Sequence, residues 1–455
     1  MIKIFILLFF IIPFSYEVPR NINRFLTRES LSSKDREMFD KTVTVLDKLE
    51  EYSDKINDIK NKTDDVEVGV MSNPDMFQGD IFLSESQIKK VKKDFEVDNN
   101  LLKNKLRKKR SAILENMPRF WDISKPIKYF VNDGNTDMIT ESLNKITSES
   151  CISFEYSPTL FTGPGFRFYR GVGCWSWLGK IDNANPQDIS LGTGCDAIGT
   201  IQHEVFHALG FVHEQSRPDR DFFLKIHNEN YTPDKATNFY RYGYGSANNY
   251  GIIYDYGSVM QYYAKSFSSN GGETMTPKMS FFDNVMGQSV GYSHYDLKLL
   301  NTYYCKNVCT SSIICNNGGF QSVKDCSKCR CPLGFSGISC NEIEERSSTC
   351  TNKINYSNST KQTINVPLGA KCFYYIEAPI DKKIMLVMKD LKYNGYYYTP
   401  CNAENGVEIK YRTDMGLTGG MFCKPFSNEI LISQGNKLLI AVPGNVKMQF
   451  TFHSK

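Results

Sequence analysis

Apolar positions follow three patterns of spacing along the chain. Between residues 17 and about 110 they are sparse, and the composition runs to Lys, Asp, Glu and Asn. Within this stretch Leu46, Leu49, Tyr52, Ile56 and Ile59 recur at three- and four-residue intervals, which predicts an amphipathic helix. Ile88, Val91 and Phe95 predict a second, weaker one. From Ser111 to about Cys305 the pattern becomes that of a mixed α/β domain. Ile127, Tyr129 and Val131 alternate with Lys128 and Phe130 as in a strand, and Met138 to Ile146 has helical spacing. Beyond residue 350 the pattern is all-β. Ile384–Met388 and Leu438–Val442 are short apolar runs, and Met448, Phe450 and Phe452 alternate with Gln449 and Thr451. Turn pairs at Asn394-Gly395, Asn405-Gly406, Gly419-Gly420 and Gly435-Asn436 separate these strands, so a β-sandwich is expected.

Cysteine divides the chain the same way. All 14 cysteines lie at or beyond Cys151, an even number that suits complete pairing in an oxidising compartment. Six fall between Cys309 and Cys340, with Gly318, Gly319, Gly334 and Gly337 among them; this density leaves no room for an ordinary core, so disulfides must hold the segment. Six cysteines allow fifteen pairings, and spacing alone does not choose among them. The N-terminus agrees with export. A short basic start, an apolar run from Ile4 to Ile12, then Pro13, Phe14 and Ser15 predict a signal peptide over residues 1–15. No later segment has eighteen consecutive apolar residues, so a secreted, extracellular product with no membrane span is expected. Acceptor triplets at Asn61, Asn230, Asn355 and Asn358 are compatible with glycosylation. The net charge of +4 is too small at this length to imply a nucleic-acid or anionic-membrane partner.

The chemistry is concentrated in His203-Glu204-Val205-Phe206-His207-Ala208-Leu209-Gly210-Phe211-Val212-His213. On a helix His203 and His207 stand one turn apart and can share one ion. Gly210 can end that helix in a conformation that brings His213 to a third ligand position. Three neutral imidazoles suit zinc and leave a coordination position open, as a catalytic site requires. Glu204 sits beside that position, where a carboxylate can accept a proton from a zinc-activated water.

This segment resembles the metzincin metalloproteases. Glu214-Gln215-Ser216-Arg217-Pro218-Asp219-Arg220, directly after the third histidine, narrows the resemblance to the astacin family. The resemblance implies a set of roles. His203, His207 and His213 would bind one catalytic zinc, with Glu204 as general base. Ser258-Val259-Met260-Gln261-Tyr262 is similar to the family's methionine turn, which would make Met260 the floor of the metal site and Tyr262 a helper to the reaction; Gln261 stands where the family commonly has histidine. Glu214 would pair with the N-terminus of the mature enzyme, here Ser111, freed by a processing protease that cuts after Arg110 in the run Arg107-Lys108-Lys109-Arg110. Phe77-Gln78-Gly79-Asp80 matches the propeptide motif whose aspartate, Asp80, would occupy the zinc and keep the precursor silent.

The resemblance also pairs Cys151 with Cys305 and Cys174 with Cys195. Residues 307–341 resemble an EGF-like module and 350–455 a CUB domain, with Cys350–Cys372 and Cys401–Cys423 as its bridges; Asn405 stands near the position where calcium-binding members carry an acidic residue. The expected organisation is therefore multidomain: signal peptide 1–15, propeptide 16–110, an α/β metzincin catalytic domain with an active-site helix at 111–306, a small disulfide-rich EGF-like module and an all-β CUB sandwich. The expected function is a zinc endopeptidase acting on extracellular proteins. The alternative is a catalytically inactive protein that uses its EGF-like and CUB modules to bind matrix or a receptor.

Overall fold

The computed structural model describes residues 24, 27–31, 35–44, 76–84, 86–91, 113–114, 120–181, 183–243, 247–345, 347–350, 354–394, 399–426 and 428–455. The signal peptide, the helix expected around Leu46–Ile59, Phe95, Asn61, the tetrabasic run and Ser111 lie outside these residues.

The sheet of the α/β unit has six strands in the order Ile81–Phe82, Cys174–Trp177, Gln187–Leu191, Gly165–Tyr169, Ile127–Val131, Phe154–Tyr156. All neighbours are parallel except Cys174–Trp177 against Gln187–Leu191. The outermost strand, Ile81–Phe82, comes from the segment before the domain, so a pre-domain strand caps the sheet edge. Helix Thr136–Glu149 is started by Asn135, whose side chain accepts from the Met138 N–H at 3.1 Å, and it buries Ile139, Leu143 and Ile146 against the sheet. Helix Ile198–Ala208 is buried from Gly199 to Ala208, so it is a central element rather than a surface one. Helix His294–Tyr304 begins with a capping box in which Ser293 and Asp296 satisfy each other's backbone N–H groups.

Disulfides join Cys151 to Cys305 and Cys174 to Cys195. In the small module the bridges are Cys309–Cys326, Cys315–Cys329 and Cys331–Cys340, one of the fifteen pairings that spacing left open. Arg330 ties this module to the α/β unit through Glu149, at 2.8 Å.

The C-terminal unit is all-β, with a five-stranded sheet over a four-stranded one. Its strands include Cys372–Glu377, Ile384–Tyr393, Lys437–Val442 and Val446–Ser454. Cys350–Cys372 and Cys401–Cys423 brace it. One buried apolar cluster runs without a break from Tyr254, Tyr256 and Phe282 of the α/β unit into Tyr411, Met421 and Phe422 of the sandwich. The two units therefore share a core.

Candidate metal centre

The end of helix Ile198–Ala208 sets the site. Gly210 takes φ +104°, a left-handed conformation that costs a glycine little. The Phe211 N–H then reaches Phe206 O at 2.9 Å and the Gly210 N–H reaches His207 O at 2.8 Å, while the Phe206 and Phe211 rings pack 4.8 Å apart. This is a Schellman stop with its apolar contact. Trp121 Nε1 donates to Ala208 O at 2.7 Å and secures the same turn. The chain leaves the helix in a fixed direction, and His213 returns to the face that carries His203 and His207.

Each imidazole is oriented by its Nδ1. That of His203 donates to Val259 O at 2.7 Å, that of His207 to Phe211 O at 2.8 Å, and that of His213 to Gln78 Oε1 at 2.9 Å. A carbonyl oxygen can only accept, so the proton sits on Nδ1 and the Nε2 lone pair faces inward. Nε2 of His207 and of His213 lie 3.2 Å apart. Two lone pairs cannot hydrogen-bond, and such an approach needs a cation between them. Asp80 completes the group: Oδ2 is 3.2 Å from His203 Nε2 and 3.1 Å from His213 Nε2, and Oδ1 is 3.7 Å from His207 Nε2. Donors about 2.0–2.1 Å from a tetrahedral zinc stand about 3.3 Å from one another, so the set fits zinc. Among the described residues it is the one such group of three or more metal-ligating side chains, all four buried.

The electrostatics agree. Burial pushes His213 down to about 3 and lowers His207, leaving both rings neutral as ligands require. Burial alone would raise Asp80, but the surrounding histidines hold it well below the usual carboxylate range, so it meets the ligand set as an anion. Burial, with the charge of Asp80, raises Glu204 well above that range. Neither carboxylate oxygen of Glu204 has a hydrogen-bond partner, although the side chain is fully buried. A buried carboxylate left unpaired is costly, and here it lies beside the ligand set.

The turn beneath the ligands is held from several sides. Asp296 accepts from Ser258 Oγ at 2.6 Å and from the Val259 N–H at 2.9 Å, which fixes the carbonyl that orients His203. Met260 is buried, and its carbonyl accepts from the Glu214 N–H at 2.9 Å. Tyr262 packs on His213 with ring centroids 4.4 Å apart, and its hydroxyl donates to Gln78 O. Gln261 is buried, bonding Tyr262 O and Tyr254 Oη. Glu214 Oε1 accepts from Arg217 Nη1 at 2.8 Å and from the Asp255 N–H at 2.9 Å. Arg217 also forks onto Asp219 at 2.9 and 3.0 Å. Glu214 is pushed up to about 8 by burial, against the pull of Arg217.

The pre-domain segment reaches the site along the sheet edge. Ser176 N–H donates to Asp80 O at 2.9 Å and Leu178 N–H to Phe82 O at 3.1 Å, so the pairing sets the depth at which Asp80 enters. The Phe82 ring lies 4.5 Å from Trp175 and 4.9 Å from Trp177.

Four residues of the site were given no role from sequence. Arg217 and Asp219 stand inside the quoted signature without a role, and Gln78 inside the quoted propeptide motif. Asp296 had a readable signal in Ser293-x-x-Asp296, a capping-box pattern, but nothing pointed from it to Val259. Asn355 lies in strand Ile354–Tyr356 and is buried at 8% exposure. Asn358 is exposed, and Asn230 donates its amide to Glu273 O at 2.7 Å.

A helix-borne histidine pair, a third histidine past a glycine stop and an unpaired glutamate between them define a zinc-peptidase type of centre. Residues 114–305 match the model of the peptidase family described as Astacin. The chain is 33% identical over 401 residues to zinc metalloproteinase nas-23 of Caenorhabditis elegans, covering 82% of this chain and 70% of that protein. It is 33% identical over 398 residues to zinc metalloproteinase nas-34 of the same organism, covering 84% of this chain and 64% of that protein. The solved structure of high choriolytic enzyme 1, a hatching enzyme zinc-protease from the medaka fish Oryzias latipes, is 30% identical and covers 41% of this chain and 98% of its own, with a TM-score of 0.36. The chain belongs to the astacin family. The cofactor of this family is one catalytic zinc ion, and the three histidines with Asp80 are the group that fits it.

Proposed function

We propose that the chain is a zinc-dependent endopeptidase of extracellular proteins, secreted as a silent precursor. The observation that carries this reading is Glu204, fully buried and unpaired beside three histidines whose Nε2 atoms converge. Zinc, when bound, supplies Lewis acidity that polarises a peptide carbonyl and acidifies water. His203, His207 and His213 hold it. Glu204 takes the proton of the attacking water and returns it to the leaving amine. Tyr262, freed from Gln78, donates its hydroxyl to the charge developing on the carbonyl oxygen. Met260 floors the site.

In the precursor Asp80 fills the fourth donor position and Phe82 occupies the edge strand, so substrate and water are both kept out. Cleavage after Arg110 would release residues 16–110 and free the Ser111 amine to meet Glu214. The seating of Ile113–Leu114 against Ala247–Asn248 supports this by placing the start of the domain in a strand pair. Further on, the three-bridge segment 307–341 acts as an EGF-like module and the two-sheet unit 350–455 as a CUB domain. Seven disulfides with no free cysteine favour an oxidising compartment, and no described helix is long and apolar enough to cross a membrane.

The deciding experiment is Glu204→Ala in the mature chain. Zinc content should stay at one ion per chain while turnover of a generic protein substrate falls by about 10²- to 10⁴-fold, the range for general acid–base groups. Substantial turnover by a zinc-loaded Glu204→Ala preparation would remove Glu204 from the reaction.

A further inference from the structure

The loop between strands Val407–Lys410 and Gly420–Phe422 of the sandwich enters the catalytic domain behind the metal centre. Leu417 is 1% exposed and sits in the same apolar cluster as Val259, Met260, Tyr295 and Leu297. Beside it Arg412 donates to Tyr254 O at 3.0 Å, and Thr418 donates to Asp255 twice: its N–H to Oδ1 and its Oγ1 to Oδ2, each at 3.2 Å. The approach is close enough that a Cβ on Gly257 would lie 2.4 Å from Thr418 Oγ1.

Asp255 connects this contact to two ligands at once. Its N–H donates to Glu214, the residue after His213. Its carboxylate and carbonyl accept from the N–H groups of Gly257 and Ser258, which lead into Val259, whose carbonyl orients His203. The loop has internal bracing of its own. Lys410, buried and paired with Glu408 at 3.0 Å, donates to Leu417 O at 2.8 Å, and Glu408 accepts from the Gly419 N–H at 2.7 Å. Asp414 accepts from Tyr295 Oη and from the Gly416 N–H. A tether between independent domains would meet at the surface. Here a buried ion pair is committed to the shape of a loop that completes the other unit's core.

We infer that the sandwich loop 411–419 is a structural part of the metal centre, with Arg412, Leu417 and Thr418 acting as positioning residues for the turn 254–262. Through that turn the loop sets the Nδ1 acceptor of His203 and the setting of Glu214. The catalytic domain of this chain is therefore incomplete without its C-terminal unit. Losing Thr418 Oγ1 takes one donor from the buried Asp255 carboxylate, and the turn must shift to find another.

The test uses the full chain, as precursor and after activation, with Thr418→Val and Thr418→Ser. Valine keeps the shape and removes the hydroxyl, whereas serine restores it. In the valine form zinc release to a chelator should quicken by about threefold, less than the roughly tenfold lower end for a direct partner of a metal ligand, because Thr418 acts through Asp255. Amide exchange should rise within residues 254–262, kcat should fall with KM within twofold, and serine should return all of these toward the parent. Equal zinc release and equal exchange in the valine form and the parent would overturn the inference. A parent that turns over no substrate would instead count against the proposed peptidase activity, and the zinc-release and exchange comparison would still decide this one.

Discussion

Two segments from outside the catalytic domain close on its metal centre, and they do so by opposite means. In front, the pre-domain strand Ile81–Phe82 adds to the exposed edge of a finished sheet and sends one carboxylate to the histidines. Behind, the loop 411–419 supplies Leu417 to the core itself and shares hydrogen bonds with buried backbone. An edge strand can be stripped away and leave a complete sheet. A side chain built into a core leaves a void. The front contact is thus suited to removal and the rear one to permanence, and the tetrabasic run stands between the front segment and the domain.

The largest break in this comparison should come from the rear. Leu417→Ala should destabilise the chain by about 2–5 kcal/mol, the cost of a Leu-to-Ala cavity in a well-packed core. Denaturant unfolding followed at both the catalytic domain and the sandwich would report it, and a loss confined to the sandwich signal would separate the two cores. An intermediate effect is expected at the front. Asp80→Ala should leave the precursor folded but give it turnover about 10- to 100-fold above the silent parent, from the loss of a charge-assisted contact worth about 1.5–3 kcal/mol. An uncut Asp80→Ala precursor as silent as the parent would mean that the bulk of the segment, and not its carboxylate, closes the site. The smallest effect belongs to Gln78, which orients His213 only while the front segment is present. Gln78→Leu should weaken zinc binding by the precursor about tenfold. The mature chain, cut from the same variant, should bind zinc as the parent does.

The readable parts of the site were those the chain writes locally. His203 and His207 share a helix face because they are four residues apart, and Gly210 announces the turn because few other residues accept its φ. The strands around Ile127 and Met448 were legible for the same reason, since alternation is a nearest-neighbour property, and the one beginning at Ile384 showed as a short unbroken apolar run. The rear contact was not. Thr418 and Asp255 are far apart in sequence, and neither has a motif; a threonine in a hairpin loop and an aspartate two residues before a glycine read as ordinary turn residues. Cysteine pairing in the small module was hidden too, because fifteen connectivities satisfy the same spacing.

The wedge of Phe82 between Trp175 and Trp177 has an optical consequence. The chain has three tryptophans, and the third, Trp121, is buried under the end of the active-site helix. Two of the three indoles are thus shielded by the segment that processing would remove, and neither indole N–H has a hydrogen-bond partner while it is there. Departure of Phe82 would open both rings to water, which would move their emission to longer wavelength, while Trp121 would stay dark to the change. The unlabelled protein therefore carries its own fluorescent record of activation, read in real time and without a substrate.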